Sequence, residues 1–182
     1  MSGGRSPGGG YEIWMSPTSD PEVGGGLKRY DIQLRAAARA SSIFTLTPIN
    51  GPNDMEYEAA KERTRALWHP SGRFVAITDQ SSRFSRNVYI LSVQDGSAKQ
   101  LPIPDYVQNA LGRIKATEIY RDSISIPKAW SGEDLSLTLY FSAVGAQQYL
   151  YSCEVVLRLD RDDDGGPAVR LKSVSEPIAN ES

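Results

Sequence analysis

Residues 68–101, WHPSGRFVAITDQSSRFSRNVYILSVQDGSAKQL, constrain the fold more than any other stretch of this chain. Pro70 fixes φ near the value of a turn's second residue and Gly72 tolerates positive φ, so Trp68 ends a strand and a turn follows it. Residues 74–78 and 87–93 are short runs rich in Val, Ile, Phe and Tyr and predict two strands. Asp95-Gly96 is a two-residue hairpin signal that sends the chain into a further strand at 98–103. With a strand running from Arg63 into Trp68, the stretch forms a unit of four antiparallel strands.

The rest of the chain divides into imperfect copies of that unit. Residues 11–15 alternate, and after a Pro/Gly/Asp loop at 17–26 residues 30–35 alternate again. Tyr30, Ile32 and Leu34 share one face of that strand, and Asp31, Gln33 and Arg35 share the other. The alanine-rich 36–40 is one turn long and serves as the connection into a strand at 42–49. Residues 55–62 have helix propensity in Glu, Ala, Lys and Arg, residues 105–114 predict a helical turn after Pro104, and 117–126 predict a strand that Pro127 ends. The last copy begins at Trp130. Leu135, Leu137, Leu139 and Phe141 alternate with polar residues, Gly145 turns the chain, 149–159 returns, and 168–174 closes the copy after the acidic turn at 160–166. Residues 1–10, with five glycines, read as a disordered lead, and 175–182 as a frayed tail. The expectation is a single all-β domain over 11–174, with repeats at about 11–49, 63–103 and 117–174 and the first lacking its leading strand.

The run from Trp68-His69-Pro70-Ser71-Gly72-Arg73 through Asn87-Val88-Tyr89-Ile90 to Asp95-Gly96 and Gln100-Leu101 resembles the β-propeller repeat of TolB and WD40-like proteins. His69 and Ser71 depart from the Ser and Asp usual in that repeat, and residues 130–171 match it loosely. The resemblance implies propeller-like antiparallel four-stranded sheets that serve as a binding scaffold. It implies a non-enzymatic interaction module or, as an alternative, a fragment or accessory domain of a larger propeller-containing hydrolase. Closed propellers need about four to eight blades. Three copies therefore predict an open stack and a monomer, with the middle copy, apolar on both faces, sandwiched between the other two.

Charge and motif content narrow the chemistry. With 20 basic and 22 acidic residues and a net charge of −2, the chain has no field that attracts nucleic acid or anionic lipid. No apolar run is long enough to span a bilayer. A soluble protein is expected, cytoplasmic as the sequence stands and periplasmic or secreted if a signal peptide has been removed. Cys153 is the single cysteine, on the apolar face of a strand, so it reads as a buried inert thiol and no internal disulfide forms. His69 is the single histidine, has no nucleophile-elbow motif beside it, and reads as a solvated turn residue. The glycines at 24–26 lack the spacing of a phosphate-binding loop. No cofactor is expected.

Two features carry ligand chemistry. Asp160, Asp162 and Asp164 form a D-x-D-x-D-G run that resembles calcium loops, because three alternate carboxylates before a turn glycine suit a hard oxygen-loving cation. Position 12 of such a loop is Leu171 rather than glutamate, so any calcium coordination is open and weak, and a charged hairpin tip is the plainer reading. Trp14, Tyr149 and Tyr151, with Tyr11, supply aromatic surface for a protein, peptide or glycan partner, set against their use as core or cross-strand pairs.

Overall fold

The computed structural model describes residues 4–18, 29–38, 41–46, 64–79, 86–116, 119, 123–143 and 150–180. The predicted helix at 55–62, the glycines at 24–26, Gly145 and Tyr149 lie outside these residues. Strands dominate, and the chain divides into two compact units, Met1–Arg83 with Tyr89–Gln100 and Phe84–Val88 with Leu101–Ser182.

In the first unit, β1 (Tyr11–Thr18), β2 (Arg29–Ala36) and β3 (Ser42–Leu46) form a three-stranded antiparallel meander. Alternation decides which face is buried: Ile13, Met15, Ile32, Leu34 and Leu46 turn inward. A register shift at Leu34/Arg35 sets Phe44 opposite Leu34 and Ser42 opposite Arg35. The second meander runs β4 (Arg65–Trp68), β5 (Phe74–Asp79), β6 (Asn87–Gln94) and β7 (Ser97–Leu101), hydrogen-bonded in that order. Asp95 and Gly96 both take positive φ, 50° and 77°, which is the backbone of the type I′ turn their sequence predicts. Ala66, Val75, Ile77, Tyr89, Leu91 and Val93 meet the inner face of the first sheet in one apolar cluster, with Trp68 packed against it. The opposite face, through Ala76, Val88 and Ile90, is buried as well, so this sheet is apolar on both sides as its sequence requires.

The second unit holds β8 (Ile124–Ser131), β9 (Asp134–Ser142), β10 (Leu150–Arg161) and β11 (Pro167–Val174), again in sequential antiparallel order, with β12 (Ile178–Asn180) added on β10. Leu135, Leu137, Leu139 and Phe141 alternate inward beside Cys153, Val155, Leu157 and Leu159. Helix α1 (Tyr106–Arg113) buries Tyr106, Ala110 and Leu111. Asp105 caps its first turn by accepting from the Gln108 N–H at 2.9 Å. Its end is a Schellman closure in which Lys115, at φ 57°, lets Ala116 N–H reach the Leu111 carbonyl at 3.0 Å. The Tyr106 hydroxyl pairs with Ser125 Oγ at 2.9 Å, and burial raises its pKa. Among the described residues no helix is long and apolar enough to cross a membrane.

The described strands therefore form three antiparallel sheets, of three, four and four strands plus β12, and among the described residues no sheet closes on itself. Three local expectations are corrected. Residues 4–10, expected as a disordered lead, fold against β1: Ser6 is buried, its N–H donates to Tyr11 O at 2.9 Å, and its Oγ accepts from Tyr11 N–H at 3.0 Å. Residues 175–180, expected as a frayed tail, continue the sheet, because Ser175 exchanges bonds with the Glu154 backbone at 2.9 and 3.0 Å and so hands the chain on to β12. Pro127 does not end a strand; β8 runs through it to Ser131 with a register shift at Pro127/Ala129. An edge strand tolerates a proline because one of its sides needs no ladder donor.

Candidate functional site

The inward turn of Ile13, Met15, Ile32 and Leu34 forces Glu12, Trp14 and Ser16 of β1 and Asp31, Gln33 and Arg35 of β2 onto the outer face of the first sheet. Trp14 lies opposite Gln33, and Glu12 opposite Arg35. Trp14 is 48 % exposed, a large hydrophobic side chain left toward solvent. The Arg35 guanidinium carbon sits 5.0 Å from the centre of its ring, within cation–π range. Gln33 Oε1 accepts from Arg35 Nε at 3.1 Å and Nη2 at 2.7 Å, which fixes the guanidinium plane beside the indole. The Glu12 carboxylate turns to Arg5, 3.7 Å away. Arg35 itself makes no ion pair with the described residues. Beyond Gln33, the Ser42 and Thr45 hydroxyls are 3.3 Å apart, and Ser42 Oγ also donates to Phe44 O at 3.0 Å.

Of the other candidate aromatic residues, Tyr11 and Tyr151 have packing roles. Tyr11 packs against the first unit's core, and its hydroxyl accepts the Gly96 N–H at 3.2 Å. Tyr151 pairs across strands with Phe141, the rings stacked with centres 5.7 Å apart.

The three aspartates of the acidic hairpin occupy separate positions. Asp160 Oδ2 lies 3.0 Å from Arg170 Nε, while its Oδ1 accepts the Arg161 N–H at 2.8 Å. Asp162 Oδ1 accepts the N–H of Gly166 and so closes the turn from inside, a local side chain to backbone bond characteristic of Asp in turns. Asp164 is exposed at the tip. Among the described residues no three His, Cys, Asp or Glu side chains converge as a metal-holding group.

His69, expected in solvent, is buried, and the reason is local. Its Nδ1 accepts from Ser71 N–H at 3.1 Å and lies 2.7 Å from Ser71 Oγ, while its ring meets Phe74 edge-on at 5.9 Å. The turn thus satisfies the imidazole Nδ1 without water. Burial pushes the Cys153 thiol up to about 11, which keeps it protonated and unreactive near neutral pH.

The residues sequence reasoning missed at the Trp14 face are Gln33 and Arg35. Alternation places them on the polar face, but their engagement with Trp14 follows from the β1–β2 register. Comparison of the chain with protein-family models, with curated proteins and with solved structures finds no match in any of the three.

Proposed function

We propose that this chain is a non-enzymatic binding module, with its meanders acting as propeller-like blades in an open stack and the outer face of the first sheet, around Trp14, as its contact surface. The observation that carries the reading is the Trp14 indole, 48 % exposed beside a guanidinium already held in place by Gln33. Rigid aromatic surface next to an oriented polar group supplies contact area at little entropic cost, which is how binding hot spots are built. The resemblance of residues 68–101 to TolB and WD40-like repeats supports the same reading, since such repeats serve mainly as scaffolds.

The test compares wild type with Trp14→Ala for binding to peptide and glycan panels, alongside thermal melts. The expected result is loss of the bound class with an unchanged melting temperature. Binding that survives Trp14→Ala at full strength removes this face from the contact. A monomer by light scattering across a range of concentrations is expected.

A further inference from the structure

The guanidinium of Arg35 is oriented but, among the described residues, not neutralised. Gln33 Oε1 fills the edge made by Nε and Nη2, so the end-on edge, Nη1 with the second Nη2 proton, has no acceptor among the described residues. Two parallel N–H groups on that edge match the two oxygens of a carboxylate. Glu12 stands opposite Arg35 in register, yet its carboxylate faces Arg5. The outer side of the second unit's sheet shows the usual alternative: Lys128, Arg158, Arg170 and Lys172 each have a carboxylate within 3.0 Å.

We infer that the Trp14–Arg35–Gln33 face receives an acidic side chain of an extended peptide, with the carboxylate on the free edge of Arg35 and neighbouring apolar atoms on the indole. The inference rests on the reading of this face as a contact surface and adds the chemistry of the ligand. Charge selects a single carboxylate, because a polyanion would meet Glu12 on the same face and a chain of net charge −2. The donor balance selects a peptide over a sugar. Gln33 Oε1 is already occupied twice, so what the Gln33–Arg35 pair itself still offers beside the indole is the donors Gln33 Nε2 and Arg35 Nη1. Peptide carbonyls and carboxylates are acceptors, whereas sugar hydroxyls also need acceptors for their own protons.

A library of random heptapeptides displayed on phage is panned on the full chain, and the enriched peptides are measured against wild type, Arg35→Lys, Arg35→Gln and Trp14→Ala, each first checked for an unchanged melt. The expected result is enrichment of peptides with one Asp or Glu. Their affinity falls about tenfold or more with Arg35→Gln, falls less with Arg35→Lys, which keeps the charge but loses the fork, and is lost when the acid is replaced by its amide. Peptides without acidic preference that still depend on Trp14 overturn the carboxylate inference and leave the contact surface standing. Peptides indifferent to both Trp14 and Arg35, or no enrichment at all, sink both. Arg35-dependent binding of a glycan bearing a single uronic acid, without any peptide binding, overturns the peptide and keeps the carboxylate.

Discussion

The outer face of the β1–β2–β3 sheet and that of the β8–β11 sheet arise from the same alternation, but they dispose of their charge differently. On the second, Asp134 takes both Arg158 and Lys172, Glu154 takes Lys128 and also accepts from Thr138, and Asp160 takes Arg170. On the first, Arg35 lies on Trp14 and is held by a neutral amide. Alternation alone says that both faces meet water. The partner each cation finds decides whether its donors are filled within the sheet or left for another acceptor.

The inner sides test whether the two sheets are otherwise comparable. Leu34 and Leu137 are 1 % and 0 % exposed, so Leu34→Ala and Leu137→Ala should each cost about 2–5 kcal/mol in denaturant unfolding. A cost below about 1 kcal/mol at either position would break the comparison at its base.

The next contrast is in pH. Hydrogen bonds from Lys172 and Arg158 hold the Asp134 carboxyl below its usual value. A group lowered on folding stabilises the fold above its unfolded pKa, about 3.9, and that contribution disappears as pH falls through the lower folded value. Asp134→Asn should therefore melt below wild type at neutral pH, and the gap should close under acid. A gap that persists unchanged at pH 2 contradicts the pairing. Arg35→Gln, with no carboxylate partner in the described chain, should show no such closing.

The acidic hairpin gives a smaller effect. Asp162→Ala removes the bond to the Gly166 N–H and should cost about 0.5–1.5 kcal/mol. Asp164→Ala, at the exposed tip, should stay within about 0.5 kcal/mol of wild type by thermal or chemical melts. Equal losses at the two positions would show that the turn is not closed by Asp162. Smallest of all is the stability effect of Arg35→Gln on the first sheet, within about 0.5 kcal/mol, because an exposed cation–π contact contributes little.

The middle meander was legible because its turns are written in residues with one mechanical meaning: Asp95-Gly96 takes the two positive φ values that the pair favours, and Gly72 takes φ 70°. The polarity of each strand was legible for the same reason that Leu34 and Leu137 are buried. What was not legible depends on partners distant in sequence. Pro127 reads as a stop until β8 is known to be an edge, and β12 has no alternating pattern because Ser175 and the β10 backbone seat it. His69 looks solvated until Ser71 is seen to satisfy its Nδ1. At the candidate site Trp14 was legible as an aromatic on a polar strand face, but pairing it with Arg35 and Gln33 requires the register between β1 and β2.

The most direct measurement is an amide-resolved NMR titration of the isotope-labelled chain with the tightest acidic peptide from the panned library. The shifts should cluster at residues 12–16 and 31–35 and disappear with Arg35→Gln. Shifts centred on the ion-paired face of β9, β10 and β11, with residues 12–16 and 31–35 unmoved, would contradict the account.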